Sequence, residues 1–92
     1  MKIYYLICYD IKDDFRLHKI FRYMKGKGVH LQYSVFHCYL NRQELLTIIR
    51  EIKSIINEKE DDVRIYPLIT NFETIVLGQG ARIPEGLDFF FD

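Results

Sequence analysis

The sequence predicts an α+β domain whose elements run β-α-β-β-α-β, with one extra strand toward the C-terminus. Three observations carry this: an almost continuous apolar run at the start, two segments with apolar residues at helical spacing, and a strongly β-prone stretch between them. Residues Lys2 to Tyr9 (KIYYLICY) are rich in β-branched and aromatic types, as expected of a central strand covered on both faces. The run stops at Asp10. Asp13 then offers a helix N-cap, and Leu17, Ile20, Phe21 and Met24 form one apolar stripe that ends at Gly26 and Gly28. Phe15 falls off that stripe, so it is expected to be exposed or to meet a partner.

Residues Val29 to Leu40 are too short for two long strands and too β-prone for a helix, which predicts a tight hairpin turning near Tyr33 and Ser34. Asn41 followed by Glu44 has the spacing of a capping box. Behind it, Leu45, Ile48, Ile49, Ile52, Ile55 and Ile56 hold the helical period until about Asn57. An acidic turn, Glu58 to Asp62, leads to a strand over Val63 to Leu68, where Pro67 lacks a ladder donor and points to an edge or a bulge. A short strand over Glu73 to Leu77 ends at Gly78. This order matches the split βαβ, ferredoxin-like pattern, an antiparallel sheet with two helices on one face.

A chain of 92 residues has room for one core, and at that size only about 60 to 65% of the unfolded surface is buried on folding. The strands read as apolar on both faces, so the face without helices needs a cover, and a second copy of the chain is the expected one. Residues 1–78 are read as the domain. In the tail, 79–92, Phe89, Phe90 and Phe91 are expected to pack across a homodimer. The start is too short for a signal peptide, and no apolar run approaches the roughly 18 residues of a membrane span, so a cytoplasmic, membrane-free chain is expected. Cys8 and Cys38 lack C-x-x-C spacing and sit in apolar runs, as reduced, buried thiols do. Seven Tyr and seven Phe argue against disorder.

The first residue with chemical potential is Asp10, placed where the first strand ends. A carboxylate there can project beyond the sheet, and Mg²⁺ sites on nucleic-acid enzymes use one or two carboxylates completed by water and phosphate. The same Asp could instead make an Asx-turn while Asp13 or Asp14 caps the helix. Net charge is zero, with 13 basic and 13 acidic residues, but its distribution is uneven. Between Arg16 and His30 stand Arg16, Lys19, Arg22, Lys25 and Lys27 with no acid, either a solvated helix face or a phosphate-binding one. The acids at Glu58 to Asp62 form a solvated turn or a docking patch for a basic partner. His18, His30 and His37 lack zinc-ligand spacing with the cysteines, and there is no P-loop, G-x-S-x-G or G-x-G-x-x-G.

Taken in order, Tyr9-Asp10-Ile11, Asp13-Asp14 with Arg16 and Lys19, Gly28 before a strand, Gln32-Tyr33-Ser34-Val35-Phe36 and Val63-Arg64-Ile65-Tyr66-Pro67-Leu68 resemble the small CRISPR-associated protein two family. The resemblance implies a ferredoxin-like homodimer with Mg²⁺-dependent endonuclease activity on single-stranded RNA or double-stranded DNA. It also implies partnership with the CRISPR-associated protein one integrase in spacer acquisition. It assigns the metal and the catalysis to Asp10, with two copies facing each other near the dyad, and places Tyr9, Arg16, Lys19 and Phe36 in motifs that support the site or bind substrate. Arg22 joins these as a substrate contact through the basic helix. Two other functions fit the same residues: a non-catalytic adaptor that bridges integrase dimers and lines a prespacer duplex, and a toxin-like ribonuclease of related fold.

Overall fold

The computed structural model describes residues 1–68, 73–77 and 88–91. Its elements are β1 (Ile3–Asp10), α1 (Asp14–Lys25), β2 (Val29–Gln32), β3 (Val35–Leu40), α2 (Arg42–Ile55), β4 (Asp62–Leu68), β5 (Glu73–Val76) and β6 (Asp88–Phe91). The first four strands form one antiparallel sheet in the order β2-β3-β1-β4, with β1 inside it as the opening apolar run predicts. β4 is an edge strand, so Pro67 costs the ladder nothing on its outer side.

Both helices start where their side chains can satisfy free N–H groups. The Asp13 carboxylate accepts the Arg16 N–H at 2.9 Å. Asn41 Oδ1 accepts the Glu44 N–H at 2.7 Å, and Glu44 Oε1 accepts the Asn41 N–H at 2.8 Å, completing the expected capping box. The apolar stripes of α1 and α2 face the same side of the sheet and bury Ile20, Met24, Ile48 and Ile52 against Ile7, Phe36 and Cys38. Each such side chain contributes about 1.5–3 kcal/mol by leaving water. Tyr23 on α1 donates its hydroxyl to Glu51 on α2 at 2.7 Å, tying the helices together on their outer side.

Strand alternation sends Tyr4, Leu6, Cys8 and Asp10 to the opposite face, alongside Val35, His37 and Tyr39 of β3 and Arg64, Tyr66 and Leu68 of β4. The helices thus cover one face of β1, as the ferredoxin-like pattern predicts, and leave the other face without helices. Cys38 is fully buried beneath the helices, and burial pushes its thiol up to about 11. Cys8, expected to be buried, is only partly so because it lies on the helix-free face. His37 on that face is 3% exposed and stacks on Tyr4 at 4.4 Å, and burial lowers its pKa. Its Nε2 finds no hydrogen-bond partner.

The C-terminal part holds more strand than the sequence predicts. β5 pairs in parallel with β6, so Phe89, Phe90 and Phe91 belong to a strand that the reading of 79–92 as a docking tail did not foresee. The remainder of that tail, 79–87 and 92, lies outside the described residues. No described helix is long and apolar enough to cross a membrane.

One buried carboxylate fixes how β1 leads into α1. Asp61, in the turn between α2 and β4, has a side chain with 0% exposure, and each of its oxygens accepts two hydrogen bonds. Oδ1 takes the Lys12 N–H at 2.9 Å and Arg16 Nη2 at 3.1 Å; Oδ2 takes Arg16 Nε at 2.8 Å and the Asn57 N–H at 2.8 Å. Arg16 Nη2 also donates to Glu60 at 2.9 Å. The Arg16 guanidinium, followed by the two N–H donors, holds the Asp61 carboxyl well below the usual carboxylate range. The acidic turn therefore docks on a basic group of its own chain.

Two outcomes follow from this packing. A Cβ on Gly28 would overlap Cys38 Sγ and the His37 carbonyl, so Gly28→Ala is expected to destabilise the fold by about 1–3 kcal/mol in urea denaturation. Asp61 ionises more readily folded than unfolded, so its stabilising contribution is complete above the ordinary carboxylate pKa of about 4 and is lost as pH falls through the folded value. Urea midpoints measured from pH 6 down to pH 2 should fall on the acid side, and Arg16→Ala should lower the plateau and flatten that fall. An unchanged acid limb in the variant would disprove the coupling.

Candidate active site at the end of the central strand

Asp10 is the last residue of β1 and is exposed, as a carboxylate projecting beyond a sheet must be. Directly across the antiparallel ladder stands Asp62, the first residue of β4. Paired residues share a face, so the two carboxylates sit side by side on the helix-free face. Like charges in that arrangement repel, and each is offset by a cation two residues further along its own chain. Lys12 Nζ lies 3.1 Å from Asp10 Oδ2, and Arg64 Nε lies 2.9 Å from Asp62 Oδ2. All four side chains are well exposed, so these pairs are weak, about 0–1 kcal/mol each, and open to exchange for another cation.

The donor set suits a hard divalent ion. It consists of carboxylate oxygens alone, and Mg²⁺ binds through one or two carboxylates while keeping waters and substrate phosphate as its other ligands. No group of three or more His, Cys, Asp or Glu side chains is arranged to hold a metal ion among the described residues. The Lys12 ammonium already marks Asp10 Oδ2 as a position that accepts positive charge.

The other site residues expected from the sequence are placed less uniformly. Tyr9 and Phe36, at 6% and 0% exposure, are core residues with ring centroids 6.2 Å apart, and they support the strand end from beneath. Burial raises the Tyr9 hydroxyl's pKa, so it stays protonated. The Arg16 guanidinium is engaged by Asp61 and Glu60 and sets the course of the loop that follows Asp10. Lys19 and Arg22 are exposed on α1 and make no ion pair among the described residues. The structure thus places Tyr9 beside Asp10 in β1, links Arg16 to it only by way of Asp61 and Lys12, and leaves Lys19 and Arg22 on the helix surface.

Asp62, Lys12 and Asp61 were not singled out from the sequence. Asp62 immediately precedes the expected strand at Val63, but its position opposite Asp10 depends on a register that the chain does not spell out. The signal for Asp61 was the acidic turn itself, whose partner is 45 residues away in sequence.

Comparison with known proteins bears on the same stretch of chain. The family described as "CRISPR associated protein Cas2" matches residues 1–73. A protein of Thermodesulfovibrio yellowstonii named CRISPR-associated endoribonuclease Cas2 2 is 52% identical over 91 residues, covering 99% of this chain and 100% of the relative. A protein of Thermus thermophilus named CRISPR-associated endonuclease Cas2 2 is 38% identical over 81 residues, covering 88% of this chain and 87% of the relative. The crystal structure of a hypothetical protein, TT1823, from Thermus thermophilus superimposes with a TM-score of 0.81 at 38% identity, covering 92% of this chain and 100% of that one. With the matched residues spanning the whole four-stranded sheet, both helices and the Asp10–Asp62 pair, the chain belongs to the CRISPR-associated Cas2 family.

Proposed function

We propose that this chain is a CRISPR-associated nuclease, a Mg²⁺-dependent phosphodiesterase that cleaves RNA at the Asp10 end of β1. The observation that carries this reading is the exposed Asp10–Asp62 carboxylate pair at the end of a rigid central strand. The names of the relatives, endoribonuclease and endonuclease, point to the same chemistry. Asp10 would hold the ion, with Asp62 beside it. When bound, Mg²⁺ polarises a phosphodiester and lowers the pKa of a water molecule.

The protein's own residues do the rest. Asp61 anchors the Lys12 backbone, so the residue after next from Asp10 has a fixed origin, and the Lys12 side chain returns to the Asp10 carboxylate. Tyr9 and Phe36 stiffen the strand end from the core side. Exposed Lys19 and Arg22 attract the phosphate backbone through a salt-sensitive, sequence-independent interaction.

The active unit is a homodimer in this reading. Leu6, Tyr66, Leu68 and Tyr4 form an apolar helix-free face that a second copy would cover, and residues 79–92 would dock across it. The exposed cations of α1 also support an adaptor role, in which the dimer lines a DNA duplex beside the CRISPR-associated protein one integrase during spacer acquisition. The two roles use different surfaces and coexist.

Asp10→Asn should abolish cleavage of a labelled single-stranded RNA in Mg²⁺, leaving sedimentation and melting temperature as in the native protein. The same variant should weaken Mn²⁺ binding measured by electron paramagnetic resonance without substrate. Cleavage by Asp10→Asn at the native rate would refute the proposal, and chelator should remove activity from the native protein.

A further inference from the structure

Tyr33, in the β2–β3 turn, is the one described non-glycine residue with a left-handed backbone, at φ 43°. A bulky side chain there is disfavoured because its Cβ crowds the backbone, and Gly or Asn is the usual occupant. The conformation persists because the turn is held on both sides. His30 Nε2 donates to the Tyr33 carbonyl, and the His30 ring stacks on Phe36 at 4.8 Å and meets the edge of Phe21 at 5.1 Å. On the other side, the Tyr9 N–H donates to the Ser34 carbonyl at 3.1 Å, which seats the turn next to the last residues of β1. Tyr33 is 85% exposed, and its ring packs on no other ring among the described residues.

An unfavourable backbone, supported on both sides, thus presents an exposed aromatic side chain from a turn that is bonded to Tyr9, the residue before Asp10. Strain retained in this way marks a residue kept for its side chain rather than for the fold. We propose that Tyr33 is a substrate-binding residue that stacks on an unpaired base of single-stranded RNA, next to the phosphate presented at Asp10. The inference rests on the ribonuclease reading above. It deepens that reading by naming the unstacked base as an element recognised through Tyr33. Aromatic faces bind every base in this way, with little sequence preference.

The test measures binding separately from cleavage. Native protein, Tyr33→Phe and Tyr33→Gly are titrated in chelator against a fluorescein-labelled 12-nucleotide RNA, with anisotropy as the readout, and their melting temperatures are compared. Tyr33→Gly should melt at or above the native temperature, because glycine relieves the left-handed strain. It should bind the RNA about tenfold more weakly. The dependence of log affinity on log salt should keep its slope, since no phosphate contact is lost. Tyr33→Phe should bind as the native protein does, and affinity for a DNA duplex of equal length should be the same in all three. Native affinity in Tyr33→Gly, an equal loss in Tyr33→Phe, an equal loss on duplex DNA, or no measurable RNA binding by the native protein would each overturn the proposal. Because metal is absent, a failure of the Asp10 reading appears only in the Asp10→Asn cleavage assay and leaves this result distinguishable.

Discussion

The Asp61 carboxylate is the constraint on which the rest of this end of the molecule depends. Taking an ionised carboxylate out of water costs several kcal/mol unless strong donors replace the lost hydration. Here four donors do so, from the β1–α1 loop, from α1 and from the end of α2. Residues 12–16 and 57–61, distant in sequence, therefore share one charge, and neither stretch can shift without leaving that charge unsatisfied. The geometry of the strand end is consequently a product of electrostatics as much as of the apolar core. Arg16 is consumed in the process: a guanidinium locked in a fork with Asp61 and bonded to Glu60 has few donors left for a phosphate.

The sheet divides the remaining work between its faces. Phe36, Ile7 and Cys38 pack in the hydrophobic core with the buried residues of both helices. The opposite face begins with the Asp10–Asp62 pair at one end and continues through partly buried apolar side chains toward Tyr4 and Leu68 at the other. Two carboxylates facing each other without cations would loosen the end of the β1–β4 ladder. Lys12 and Arg64 offset this cheaply because both remain in water. An arrangement of weakly held, solvated countercations is poorly suited to stabilising a fold but well suited to being exchanged.

Much of this architecture could be read from the chain because it is written in local chemistry. The i, i+3, i+4 spacing of Leu17, Ile20, Phe21 and Met24 and the Asn41–Glu44 box specify helices within a few residues of where they lie. Pro67 marked its strand as peripheral for a similarly local reason. What could not be read depends on register or on long-range pairing. Nothing near Asp62 announces that it faces Asp10, and nothing near Asp61 names Arg16 as its partner. Cys8 and Cys38 look alike in sequence, but alternation sends one beneath the helices and the other to the helix-free face. Phe89 to Phe91 read as a sticky end because a lone β-prone triplet has no visible partner; pairing with β5 supplies it. At the candidate site, Asp10 was legible as a strand-end acid; in the β2–β3 turn, the left-handed backbone of Tyr33 was not, because backbone sign is invisible in a sequence.

A formal charge of zero conceals how these pairings shape the field around the molecule. Asp10, Asp62, Glu60, Asp61 and Glu44 are each matched to a basic group of the same chain, and Glu51 accepts from a tyrosine hydroxyl. Lys19 and Arg22 have no such match among the described residues, so the exposed side of α1 keeps an uncompensated positive potential although the total cancels. Screening limits that potential to about 8 Å at physiological ionic strength, roughly the reach of direct phosphate contact. Any pull these side chains exert on a polyanion would therefore be short in range, and Arg42, Arg50 and Lys53 of α2 are likewise exposed and without an ion pair among the described residues.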